Sequence, residues 1–90
     1  MLIAGNWKMN LMTAQAGAFA SELSKRYQKE PEIKFEVLLC PSFVSIPTVR
    51  DKLSDDLYLG AQDCHPASAG PHTGDISCEM LKDVGCQYVI

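Results

Sequence analysis

Met1-Leu2-Ile3-Ala4-Gly5-Asn6-Trp7-Lys8-Met9-Asn10 opens the chain, and its reading decides the rest. Leu2-Ile3-Ala4-Gly5 is a short apolar run without a charge, as in a strand covered on both faces. Polar and bulky residues then alternate: Asn6, Lys8 and Asn10 against Trp7 and Met9. In an extended chain Asn6 and Lys8, two positions apart, point the same way. A buried strand would thus deliver an amide and an ammonium to one side of an apolar core. The ammonium is a point charge for an oxyanion or phosphate, and the amide orients it. Taken alone, an Asn-x-Lys pair also reads as a surface turn with a solvated lysine.

Downstream, strand and helix patterns alternate. Phe19, Leu23 and Tyr27 recur every four residues between Thr13 and Gln28, with Ala16 and Ala20 beside them, so a core-packing helix is expected. Thr13 is its expected N-cap, Pro31 lies past its end, and Gly17 lets it sit close to a sheet. Phe35–Cys40 reads as a second buried strand, stopped by Pro41-Ser42. Ser45 is placed to cap a short helix with Pro47 in its first turn and Ile46, Val49 and Leu53 inward. Its Arg50-Asp51-Lys52 run is a solvated face. Leu57–Gln62 is a third strand, in which Gly60-Ala61 repeats the small pair Ala4-Gly5. Ser77 caps a last helix with Met80, Leu81 and Val84 inward, Gly85 is its C′ residue, and Cys86–Ile90 starts a fourth strand. The order β-α-β-α-β-loop-α-β implies right-handed crossovers and a parallel sheet.

The segment from Asp63 to Ile76 has no period and holds Pro66, Pro71, Gly70, Gly74, His65 and His72. A loop of this length in a compact domain is usually functional, and its small, weakly charged residues suit packing against a partner. Each histidine reads as a hydrogen-bonded loop residue rather than a catalyst. Cys40, Cys64, Cys78 and Cys86 form no CxxC pair, so no zinc site is expected. Cys40 and Cys86 read as buried, reduced thiols, and Cys64-His65 alone makes no metal or nucleophile motif.

Composition narrows the function classes. Hydrophobic residues are 47% and charged residues 21% of the 90, which fits one small globular domain. A net charge of -3 gives no footprint for nucleic acid or an anionic membrane. No apolar run reaches the roughly 18 residues of a membrane span, and no leader pattern is seen, which favours the cytoplasm. No cofactor motif follows any strand. A doubly wound nucleotide-binding domain would fit the element order, but it lacks a GxGxxG or GxxxxGK[ST] loop.

The Gly5-Asn6-Trp7-Lys8-Met9-Asn10 string resembles the N-terminal signature of the triosephosphate isomerase family, and the likeness runs along the whole chain. Ala61-Gln62-Asp63-Cys64 resembles that family's third strand end, with Asp63 where Asn is usual. Gly70-Pro71-His72-Thr73-Gly74-Asp75-Ile76-Ser77 resembles its long interface loop, with Asp75 for the usual Glu. Leu11 stands where Gly is frequent, and Leu81–Ile90 resembles the helix and strand before the family's Gly-His-Ser-Glu-Arg signature. The resemblance implies an α/β fold, a partial (β/α)8 TIM barrel of βαβαβαβ form with a parallel sheet. Residues 1–90 would be the N-terminal portion of a barrel that takes about 250 residues when complete.

It also implies an isomerase of triose phosphates that uses no cofactor. Asn6 and Lys8 would bind substrate and stabilise its developing charge. Met9, Gln62, Asp63, Thr73, Gly74 and Asp75 would belong to a homodimer interface, with Gln62 and Asp63 supporting either that contact or the first strand's loop and Thr73 bracing the neighbouring subunit's Asn6. The family is itself a standard example of a glutamate base paired with a neutral histidine, and both would lie beyond Ile90. The 90 residues alone are therefore expected to be inactive. The competing expectation is a non-catalytic half-barrel assembly module. Its edges, Leu2–Asn6 and Cys86–Ile90, would seek partners, and the side chains of Ile3, Val37, Leu39 and Leu59, or their alternating neighbours, would meet water.

Overall fold

The computed structural model describes residues 1–90. Strand β1 (Leu2–Asn6) leads to helix α1 (Thr13–Gln28) and strand β2 (Glu36–Cys40). A 3₁₀ turn (Phe43–Ser45) and helix α2 (Ile46–Lys52) then lead to strand β3 (Tyr58–Ala61). Helix α3 (Cys78–Asp83) and the short strand β4 (Tyr88–Val89) complete the chain. The strands form one parallel sheet in the order β1-β2-β3-β4, curled as half a barrel. Doubly wound sheets reverse their strand order at a switch point. This sheet does not, so the nucleotide-binding alternative falls and the partial (β/α)8 architecture stands.

The strand alternation divides the two faces. Leu39, Leu59 and Ala61 pack with Ala16 and Ala20 of α1, Ile46 and Val49 of α2, and Leu81 of α3 in one core cluster. All three helices thus lie on the face of the odd-numbered strand residues, and Val37 packs there too. The even-numbered set takes the other face. Leu38 and Cys40 are buried on it because Gly60 lacks a side chain. A Cβ on Gly60 would stand 3.0 Å from Cys40 Sγ and 3.1 Å from Leu38 Cδ1. The alternating neighbours occupy the open face, but Leu38 and Cys40 are buried there instead of meeting water, and of the other set only Ile3, at the β1 edge, is largely exposed, at 45%.

Several local expectations need correction. Thr13 is the first residue of α1, not its N-cap; Met12 holds that position, and its N–H donates to Gln15 Oε1 at 3.1 Å. The buried stripe of α1 is Ala16, Gly17, Ala20 and Ser24. Small side chains win this face because bulky ones would hold the helix away from its neighbours. Leu23 and Tyr27 are half-buried, whereas Phe19 is 49% exposed and meets Trp7 edge-on with ring centroids 5.2 Å apart. Gly17 brings α1 against α2 rather than the sheet, since its Cβ would lie 3.0 Å from Thr48 Cγ2. Ser24 Oγ donates to Ala20 O and accepts from Ser54 N–H. Ser45 makes no side-chain cap because the 3₁₀ turn has already begun, and its buried hydroxyl has no partner. Met80 points outward, leaving Leu81 as the buried anchor of α3.

The α3 ends behave as their residues dictate. Ser77 Oγ accepts from Met80 N–H at 3.1 Å. Gly85, at φ +98°, ends the helix, while Cys86 N–H bonds Leu81 O and Gly85 N–H bonds Lys82 O. This 6→1, 5→2 pairing satisfies the last carbonyls. Leu59 is fully buried between the helices and the sheet. Leu59→Ala is expected to lower unfolding free energy by about 2–5 kcal/mol, measured by urea denaturation. Ile3→Ala, at a half-open edge, is expected to lose less.

Candidate functional site

The carboxyl ends of β1, β2 and β3 emerge at one rim, and a small polar knot joins them there. Asn6 pairs in register with Cys40 and shares the concave face with it. Past Asn6, Trp7 N–H donates to Cys40 O at 3.1 Å. The same carbonyl accepts from Gln62 Nε2 at 2.9 Å, so both of its lone pairs are used. Gln62 Nε2 also donates to Lys8 O at 2.9 Å, across 54 residues of sequence. On the other side of the residue, Lys8 N–H donates to Asn6 Oδ1 at 2.9 Å. Asn10 Nδ2 donates to Trp7 O at 2.8 Å and closes the turn.

This knot holds an unusual backbone. Lys8 has φ +54°, a left-handed conformation that costs a non-glycine residue about 1–2 kcal/mol. It persists because the N–H and C=O of Lys8 are both pinned. The side chain is exposed and forms no ion pair. A strained, doubly anchored lysine presents an unpaired ammonium at the carboxyl end of a parallel strand, which is where ligands of open and closed α/β sheets bind. Such a group can hold a phosphate or stabilise an oxyanion. Leu11 is also left-handed, at φ +72°.

Asn6, Lys8 and Gln62 are thus brought together, and Gln62 is half-buried beneath the turn that it anchors. Met9 lies beside them with its side chain 95% exposed. Asp63, Thr73, Gly74 and Asp75 stand apart, exposed along the 63–76 loop. That loop is ordered by its own contacts. His65 N–H bonds Ile76 O at 2.8 Å, His65 pairs with Ser77, and Asp75 N–H bonds His72 O around Gly74 at φ +86°. The two histidine rings stack with centroids 4.0 Å apart, and His65 Nδ1 accepts from Ala67 N–H. Neither histidine forms a dyad with a carboxylate. No group of three metal-ligating side chains is present. Cys40 is buried and Cys86 half-buried, and desolvation pushes both thiols up.

Two parts of the knot escaped the sequence reading: the structural role of Asn10 and the shared Cys40 carbonyl. Asn10 carried a signal, since an Asn that closes a short turn is a common local device. A backbone carbonyl carries none.

A sequence model described as triosephosphate isomerase matches residues 1–90. The chain belongs to the triosephosphate isomerase family. Its similarity to curated triosephosphate isomerases is near-uniform in extent. It is 42% identical over 89 residues to that of Wolbachia sp. subsp. Brugia malayi (strain TRS), covering 99% of the chain and 36% of the relative. It is 46% identical over 90 residues to that of Xanthobacter flavus, covering 99% and 34%. The enzyme of Wolbachia pipientis wMel is 42% identical over 89 residues, with 99% and 35% covered. The chain spans about a third of the length of the triosephosphate isomerases it matches. No helix is long and apolar enough to cross a membrane.

The left-handed residues of this family member give a direct test. Leu11 is 40% exposed, so its strain is not offset by deep packing. Leu11→Gly is expected to raise stability by about 0.5–1 kcal/mol, the left-handed penalty less the extra chain entropy of glycine. Lys8→Gly should be more stable than Lys8→Val by about 1–2 kcal/mol, both measured by chemical denaturation.

Proposed function

We propose that residues 1–90 supply the first part of the active site of a cytoplasmic triosephosphate isomerase, which interconverts dihydroxyacetone phosphate and glyceraldehyde 3-phosphate. The observation that carries this reading is the pinned, left-handed Lys8 with its unpaired ammonium at the carboxyl rim of the sheet. In the proposed reaction the Lys8 ammonium meets the substrate's negative charge and stabilises the oxyanion of the enediolate as it forms. Asn6 orients the lysine turn and hydrogen-bonds substrate. Gln62 fixes the turn before the substrate arrives, so no reorganisation is needed during the reaction. The relatives' name supports the substrate class.

Neither His65 nor His72 joins this site, since they stack on one another in the loop. Lysine and asparagine are poor bases for a carbon-bound proton. The proton-transferring groups therefore come from sequence outside these 90 residues. In the same reading the 63–76 loop docks on a second subunit, with Thr73, Gly74 and Asp75 at its tip and Met9, Gln62 and Asp63 facing the contact. The isolated chain is expected to show no turnover of dihydroxyacetone phosphate in a coupled assay. A longer polypeptide that contains it should turn over, and Lys8→Met should lower kcat/KM by about 10²–10³-fold. Unchanged activity in that variant would remove Lys8 from the site.

A second reading is a non-catalytic half-barrel module. It is favoured by the open apolar edges, where Leu2, Ile3, Val89 and Ile90 are 40%, 45%, 42% and 50% exposed. Exposed edges of this kind recruit other chains. Sedimentation velocity of the 90-residue chain should then show concentration-dependent assembly. A monomer at every concentration would end this reading.

A further inference from the structure

Cys64 and Cys78 lie 14 residues apart in sequence, yet their sulfurs are 3.2 Å apart. Both are free thiols. The backbones beside them are already zipped. His65, next to Cys64, pairs with Ser77, next to Cys78, and His65 N–H bonds Ile76 O at 2.8 Å. Ser77 also caps α3, whose Leu81 is buried in the core. The two sulfurs are therefore held near each other by a single isolated backbone bridge on one side and a docked helix on the other. A disulfide needs a sulfur separation of about 2.05 Å, an approach of about 1.2 Å from the observed contact.

The two thiols differ in access. Cys78 is exposed and Cys64 half-buried. Cys40 is buried beneath the sheet and Cys86 is half-buried, so an external reagent meets Cys78 first.

We infer that Cys64 and Cys78 form an oxidisable dithiol site, which reacts with neutral or cationic small disulfides and closes the 63–76 loop with an intramolecular disulfide. In the first step the Cys78 thiolate attacks one sulfur of R–S–S–R. A Cys78–S–S–R bond forms and one RS⁻ leaves. In the second step the Cys64 thiolate attacks the Cys78 sulfur, forms Cys64–S–S–Cys78 and expels the second RS⁻. The two protons given up by the cysteines appear on the two released thiols. The protein sulfurs lose two electrons and the reagent gains them.

The preference for uncharged or cationic reagents follows from the neighbours. The Cys78 contact and desolvation, with smaller contributions from the nearby Asp63 and Glu79 carboxylates, hold the Cys64 thiol above the usual range. The two carboxylates also repel an anionic disulfide. The dithiol site belongs to the single chain with its 63–76 loop undocked and does not rest on the isomerase reading.

The test treats the 90-residue chain with bis(2-hydroxyethyl) disulfide, quenches with N-ethylmaleimide, unfolds it in the same reagent and reads intact and peptide masses. The expected product has lost two hydrogens, carries two maleimides (on Cys40 and Cys86) and yields a Cys64–Cys78 linked peptide. Cys64→Ser should stop at one mixed disulfide on Cys78. Cys78→Ser should react about ten-fold more slowly or worse at Cys64. The unfolded wild-type chain in urea should lose the speed of ring closure, and oxidised glutathione should react more slowly than cystamine. Four maleimides on the treated wild-type chain, a lasting mixed disulfide on it, or a linkage through Cys40 or Cys86 would overturn the assignment. Ring closure as fast in urea as in buffer would overturn the geometric argument. Equal rates with glutathione disulfide and cystamine would overturn the charge preference.

Discussion

Every helix of this chain packs on the same face of its sheet, and the rest of the structure depends on that constraint. Parallel strands laid down in sequence order need crossovers, and right-handed crossovers carry each helix to one side. Leu39, Leu59 and Ala61 then meet Ala16, Ala20, Ile46, Val49 and Leu81 in a single layer. The opposite face is freed from helix packing. Its interior can be filled by short reach across the sheet, as Leu38 and Cys40 fold over Gly60. All carboxyl ends leave at one rim, so Asn6, Cys40 and Gln62 become neighbours although they come from three different strand ends.

The polar knot at that rim shows how a backbone strain is held. Lys8 sits in a conformation that its own side chain disfavours. Its two peptide groups are each bound by a side-chain amide, Asn6 on one side and Gln62 on the other. Trp7 is fixed between them by its N–H to Cys40 O and by its ring against Phe19. The lysine turn therefore arrives at the surface rigid, with only the side chain beyond Cβ left free. A charge displayed this way needs little reorganisation to meet an anion, and the same backbone would fall into a commoner conformation if Gln62 were removed.

Much of this was legible in the sequence. The uninterrupted apolar runs at Leu2–Gly5 and Phe35–Cys40 named parallel strands, although β1, at the sheet edge, is exposed and not covered on both faces, and Ser77 and Gly85 marked both ends of α3. Asn6 and Lys8 stood out as polar residues at the end of the first strand, but the extended geometry expected to point them the same way stops at Asn6, because Lys8 is left-handed. Where the structure departs from the sequence pattern, close fit outweighs bulk. Phe19 looked like a core residue and lies at the rim, while Ala16, Gly17, Ala20 and Ser24 took the interior because close helix contact excludes larger side chains. Ser45 looked like a cap, but the chain had already turned into a 3₁₀ segment.

The division between the two levels has a physical basis. Periodicity, caps and breakers are local, so the sequence by itself determined the order of strands and helices, the parallel sheet and the family. Contacts across long loops are not local. Only the tertiary structure decided that one Gln62 amide would bind both Lys8 O and Cys40 O, that Leu11 and Lys8 would be left-handed, and that Cys64 and Cys78 would touch. Each of these depends on where a strand register brings two distant backbones, a quantity set by the packing of the whole sheet and carried by no single stretch of residues.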